Sequence, residues 1–229
     1  MKTIGLIGGM SWESTIPYYR VINQSIKAQL GGLHSAKILL LSVDFAEIAA
    51  LQSAGEWHVA GEQLAQAART LQSAGAECLV LCTNTMHKVA DQITAATDLP
   101  FLHIADVTAS HIKQANLSKI GLLGTRFTME QDFYIDRLVA QQIEVIVPEL
   151  SDRLRVNEII FNELCQGQIH EASRQVYREV MHKLVAQGAQ GVILGCTEIA
   201  LLVNASDAAV PLFDTADLHA QAVANFALK

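Results

Sequence analysis

Charge is what this chain has least of. Charged residues make up 17% of its 229 positions, against roughly 25% in an ordinary soluble protein. Hydrophobic residues make up 51%. That balance excludes disorder and predicts an ample core for one large domain or two small ones. Among the few charges acid prevails, with 16 Lys and Arg against 23 Asp and Glu and a formal charge of −7. Such a chain is a poor partner for nucleic-acid phosphates or an anionic membrane surface. Long apolar runs are also missing. None reaches the roughly 18 residues of a membrane span, because Gly, Asp or His interrupts each one. The opening stretch is too short and too Gly-punctuated for a secretory signal and reads as a first strand. Cysteine is sparse, with Cys78, Cys82, Cys165 and Cys196 and no CxxC. Neither disulfide stapling nor a structural zinc site is expected, and a cytoplasmic setting follows. The eight histidines form no HExxH and none pairs with a cysteine at metal spacing, so no metal is expected.

What the chain does have is alternation. Short apolar runs at 3–7, 37–43, 78–81, 101–103, 119–123, 144–147, 191–194 and 210–213 are separated by longer stretches of helical period. Runs apolar on both faces belong to parallel strands covered by helices. In the stretch before residue 78, Trp57, Leu64, Ala67, Ala68 and Leu71 fall on one helical face. The pattern is α/β. No Pro-rich or Ser-rich linker divides it.

The chain also repeats itself. Ile120–Thr125 (IGLLGT) echoes Ile4–Gly9 (IGLIGG), Leu184–Leu194 echoes Leu71–Leu81, and Pro211–Asp217 echoes Pro100–Asp106. The offsets drift only from 116 through 113 to 111. Three blocks in one order imply two similar lobes, each a mostly parallel sheet flanked by helices, related by a pseudo-two-fold axis. The first lobe is expected at 1–105 plus about 208–229, made discontinuous by a returning helix, and the second at 106–207.

Under the middle block Thr83 aligns with Cys196. Each follows an apolar strand and precedes a helical segment, at the strand end where α/β proteins bind ligands. Two such corners facing across a cleft between the lobes would present Thr83 and Cys196 to opposite faces of a small carboxylate. A thiol at a helix N-terminus has its pKa lowered, which makes Cys196 a candidate general base toward a carbon acid. The bland alternative is a small buried residue at a strand end. Cys78, Cys82 and Cys165 read as packing. Asn84, Thr85 and Thr197 are positioned to cap the following helices and to direct N–H groups at an anion. Gly8–Trp12 is a third strand-to-helix corner, matching neither GxGxxG nor a P-loop. His87 sits one turn beyond Thr83, His103 and Asp214 are equivalent in the repeat, and Asp44 reads as a helix cap.

These corners carry a resemblance. Asn84-Thr85-Met86-His87, Gly195-Cys196-Thr197-Glu198 and Gly8-Gly9-Met10-Ser11 resemble the motifs of the aspartate/glutamate racemase family, the cofactor-independent amino-acid racemases, along essentially the whole chain. The resemblance implies two α/β lobes with the active site between them, a small amino-acid substrate, a homodimer, and neither pyridoxal phosphate nor metal. It implies two cysteines acting as alternating acid and base on the α-carbon. Here Thr83 stands where the family has the first of them. Carried over, Cys196 keeps its acid/base role and Thr83 takes the other face without a thiol, which implies a bias toward L-substrates. Met10, Ser11, Trp12, Gln52, Asn84, Thr85, Thr125, Thr197 and Glu198 become the expected substrate contacts, and Arg126 a possible cationic partner for an acidic side chain. Two other readings stay open: a decarboxylase of malonate-type acids using one cysteine, and a binding protein for a small carboxylate.

Overall fold

A computed structural model describes residues 1–229 and divides into two compact units. The first holds Met1–Ile104 with His219–Lys229, and the second Ala105–Leu218.

The first unit opens with β1 (Ile4–Gly8), buried at every residue. Then come α1 (Trp12–Leu30), β2 (Ile38–Ser42), α2 (Phe45–Ala54), α3 (Trp57–Ser73) and β3 (Cys78–Leu81). The sheet is parallel in the order β2-β1-β3. On α3 the residues at helical spacing, Leu64, Ala67, Ala68 and Leu71, are buried against Ile7, Leu79 and Leu81. Each fully buried Leu or Ile there contributes roughly 2 kcal/mol of apolar transfer energy. After β3 a 3-10 turn at Thr85–Val89 and the short α4 (Ala90–Ala95) carry the chain back along α3. The expected strand at 101–103 is a single bridge, Leu79 to Phe101. Pro100 has no N–H to add to a ladder and α5 (Ile104–Gln114) starts at once, so the strand has no room to grow.

The second unit repeats this plan with β4 (Lys119–Gly124), α6 (Arg126–Glu130), α7 (Asp132–Val139), β5 (Glu144–Ile146), α8 (Leu150–Asn162) and α9 (Glu171–Ala186). It closes with β6 (Val192–Gly195), α10 (Ile199–Leu202), β7 (Leu212–Asp214) and the start of α11 (Thr215–Ala227). Its sheet is parallel in the order β5-β4-β6-β7. The repeat is visible bond by bond. Leu79 N donates to Pro100 O at 2.9 Å, and its counterpart Val192 N donates to Pro211 O at 2.9 Å. Thr3 N donates to the Glu77 carboxylate, and Lys119 N to the Gln190 amide oxygen in the matching position.

The return to the first unit comes later than the sequence suggested. β7 pairs with β6, which holds the segment from 208 to 218 in the second unit. Only the part of α11 from His219 onward belongs to the first. His219 is fully buried there. Its Nε2 donates to Leu102 O at 2.9 Å, which leaves Nδ1 to accept the Tyr18 hydroxyl at 2.9 Å. Burial without a counter-charge lowers its pKa from 6.5 to about 4. It is a neutral clasp.

Candidate active site

In the first unit, three strand-end segments form the corner. Beyond β1, Gly9 adopts a φ of +94°, and a Cβ there would run into Val43 O. Only glycine lets the chain turn this close to the end of β2. Thr15 fixes the turn, its Oγ1 accepting from Gly9 N and donating to Ser11 O, both at 2.9 Å. Met10 and Ser11 are buried, but Trp12 is 59% exposed. Beyond β3, Thr83, Asn84 and Thr85 are all buried. His87 accepts from Ile104 N through Nε2 at 3.3 Å, so Nδ1 carries the proton and donates to Thr83 O at 2.7 Å. The ring thereby fixes the Thr83 backbone and leaves the Thr83 hydroxyl uncommitted by that bond. His103 packs edge-on to His87 with ring centroids 4.4 Å apart. Gln52, buried on α2, donates through Nε2 to Met86 Sδ at 3.0 Å. Asp44 accepts from Ala46 N and caps α2.

In the second unit β4 and β6 end side by side on glycines. A Cβ on Gly195 would lie 2.8 Å from Leu123 O, and one on Gly124 would lie 2.8 Å from Gly195 O. Thr125 caps α6 by accepting from Thr128 N. Past Gly195, the Cys196 thiol donates to Glu198 Oε2 at 2.9 Å, and the Thr197 hydroxyl donates to the same oxygen at 2.9 Å. All three residues are buried. Glu198, expected as a substrate contact, thus has one carboxylate oxygen engaged inside the corner.

Two expectations change here. The helix after Cys196 is the four-residue α10, too short to supply much dipole. Burial, followed by the adjacent Glu198 charge, raises the Cys196 thiol well above its ordinary range rather than lowering it. It rests as a thiol whose proton faces a carboxylate. Arg126 is the second correction. Its guanidinium lies on Glu130, with contacts of 3.0 and 3.2 Å, and Arg153 reaches the same carboxylate. The i, i+4 spacing of Arg126 and Glu130 signals that pairing in the sequence.

Elsewhere, burial also raises Cys82, Cys165 and Cys78, the last to about 11. Asp214 caps α11 by accepting from Ala216 N and Asp217 N. No three His, Cys, Asp or Glu converge as metal ligands, and no helix is long and apolar enough to cross a membrane. A cavity of about 710 Å³ lies along α9, between Arg178, His182, Lys183 and Asp207. Its cations Arg178 and Lys183 are already held by Asp207 and Asp152, and no candidate residue lines it.

Each unit is a parallel α/β sheet whose strand ends carry a polar corner, a class that places chemistry beyond the strand termini. The sequence model of the Asp/Glu/hydantoin racemase family matches residues 7–223, and the chain belongs to that family. A Yersinia pestis crystal structure, provisionally described as an Asp/Glu racemase, is 64% identical and superposes with a TM-score of 0.93 over 100% of both chains. An aspartate racemase homologue from Pyrococcus horikoshii OT3 is 33% identical with a TM-score of 0.86, again over 100% of both. The broad specificity amino-acid racemase RacX of Bacillus subtilis is 25% identical over 145 residues, 63% of this chain and 62% of RacX. The chain thus matches less than two thirds of the length of that curated relative.

Proposed function

We propose that the chain is an amino-acid racemase working without pyridoxal phosphate or metal, with Cys196 and Thr83 on opposite faces of the substrate α-carbon. Its substrate is aspartate, glutamate or another small amino acid, as the names of its relatives suggest. One observation carries the reading: a buried thiol at a strand end, hydrogen-bonded to a carboxylate, with a hydroxyl at the repeat-equivalent position of the other unit.

The chemistry follows from that pair. Transfer of the Cys196 proton to Glu198 leaves a thiolate that removes the α-proton from the L-enantiomer. The resulting carbanion takes a proton on its other face from the Thr83 hydroxyl, which solvent re-protonates. In the reverse direction Thr83 is far too weak an acid to stand ready as an anionic base near neutral pH, so a water must relay the proton. The enzyme therefore favours L-substrates. N–H groups following Thr83 and Cys196 hold the α-carboxylate, assisted by Asn84, Thr85 and Thr197. Met10, Ser11, Gln52 and Thr125 bound the site, which works in a reducing cytoplasm.

The single thiol also favours a second reading, in which Cys196 only protonates an enolate left by decarboxylation of a malonate-type acid. Incubation with single enantiomers in deuterated water separates the readings. Racemisation yields inverted product bearing deuterium at the α-carbon. Carbon dioxide release supports the decarboxylase, and tight binding with neither outcome supports a carboxylate-binding protein.

A further inference from the structure

His87 lies four residues beyond Thr83, and its ring commits both nitrogens to the backbone. Nδ1 donates to Thr83 O at 2.7 Å, and Nε2 accepts from Ile104 N at 3.3 Å. Ile104 opens α5, in the first turn whose N–H groups find no acceptor within the helix. A neutral imidazole suits this place, since it offers a donor and an acceptor on one rigid ring. The ring is buried, with the Phe101 and His103 centroids 5.5 and 4.4 Å away. Its anchor is itself held. Leu102 O accepts from His219 Nε2 at 2.9 Å, and the His219 ring stands 6.0 Å from that of His87. The segment 101–104 is thus pinned by two imidazoles, and one of them carries that rigidity to Thr83.

The other corner is fastened by different means. At the offset of 113 that pairs Thr83 with Cys196, Ala200 stands in the place of His87. There Cys196 O accepts from Ile199 N at 3.1 Å, a bond of its own backbone turn. The start of α11 reaches β6 instead, where Thr215 Oγ1 donates to Leu194 O at 2.8 Å, two residues short of Cys196.

We propose that His87 is the positioning residue of the Thr83 face, holding the Thr83 carbonyl, and with it the place of the Thr83 hydroxyl, against the start of α5. The inference rests on the racemase reading. It asks no proton transfer of the ring, whose nitrogens are both engaged with backbone. Thr83 is β-branched and has few χ1 choices, so fixing its backbone fixes where Oγ1 stands. A displacement of about 1 Å at such a group can cost on the order of a hundredfold in rate. Because Cys196 has its own fastening, loss of the ring should fall on one face of the substrate.

Single enantiomers in deuterated water, incubated with the full chain, test it. Two substitutions divide the bonds of the ring. His87→Gln sets its amide at the Nε2 place, so it can still meet Ile104 N but leaves Thr83 O without its donor. His87→Asn sets an N–H at the Nδ1 place and keeps the bond to Thr83 O. His87→Gln should lower deuterium uptake by the D-enantiomer at least about tenfold, and uptake without inversion by the L-enantiomer far less. Racemisation from the two sides should fall together, as an equilibrium between equal enantiomers requires. His87→Asn should recover most of the lost uptake. Circular dichroism melts report folding. If only His87→Asn folds, it decides alone: a D-selective loss beyond about tenfold overturns the proposal, and a smaller one supports it. Equal losses from both enantiomers, an Asn variant no better than Gln, or failure of both to fold would make the ring merely structural and overturn the proposal. A wild type that exchanges neither enantiomer overturns the racemase reading, and the proposal with it.

Discussion

The two strand-end corners occupy equivalent places in the repeat and are wired in opposite senses. After β3, His87 grips the Thr83 carbonyl and the side chain at the corner ends in a hydroxyl. After β6, the backbone is held by glycines packed at the strand ends, and the side chain at the corner is a thiol hydrogen-bonded to Glu198. The same fold therefore offers one corner whose thiol proton faces a carboxylate and one whose hydroxyl is far too weak an acid to stand as an anion near neutral pH. Backbone equivalence does not carry chemical equivalence. That is decided by one atom and by the charge beside it.

The strongest way to break the comparison is to remove the thiol. Cys196→Ala and Cys196→Ser should lose α-proton exchange by about a thousandfold or more, measured by deuterium uptake in folded protein. Near-normal exchange in both would return Cys196 to mere packing.

Glu198 is the next point of attack. Glu198→Gln should slow exchange by about a hundredfold, because the proton acceptor is gone. It should also shift the rising limb of the pH–rate profile to lower pH, since the adjacent negative charge that raises the thiol is removed. An unchanged rate and profile would show that the carboxylate only fastens the corner.

Acid should act on the first unit through its buried ring rather than through either corner. His219 binds its proton near 6.5 when unfolded and near 4 when folded, so the unfolded chain holds more protons in between. Stability contributed by the neutral ring is present above pH 6.5 and is lost as pH falls toward 4. Between pH 7 and 5 the loss should be about 2 kcal/mol. Thermal melts should show it in the wild type, and His219→Gln should flatten the slope. Parallel slopes would clear His219 of the effect.

The smallest expected change sharpens the asymmetry itself. Free enantiomers are equal in energy, so kcat/KM must be equal in the two directions while kcat and KM differ separately. Thr83→Cys should raise exchange from the D-enantiomer about tenfold and from the L-enantiomer little. Equal exchange from both in the wild type, unmoved by the substitution, would reduce Thr83 to a turn residue.

Much of the framework was legible in the residues. The glycine-punctuated strands, the α3 stripe and the echo of Pro100 at Pro211 each correspond to a definite feature of the two sheets. These signals are local in sequence and periodic, and burial enforces them. Position at a strand end was equally readable for Thr83 and Cys196. What the sequence hid depends on how a short turn folds back. Glu198, two residues after Cys196, returns its carboxylate to the thiol, and no helical or strand period predicts that. The direction of the thiol shift was missed for the same reason, since burial outweighs a helix end that is only one turn long. β7 was given to the wrong unit because its repeat partner near Phe101 forms no strand at all.

The clasp at His219 also sets an order of events on the ribosome. The first unit is nearly complete once Ile104 has been made, yet Tyr18 and Leu102 await a ring that lies beyond the whole second unit. At ordinary rates of synthesis that ring follows roughly ten seconds later. The second unit has all of its strands before then. The half of the chain born first is thus the half finished last, and its α11 side stays uncovered until the final helix arrives.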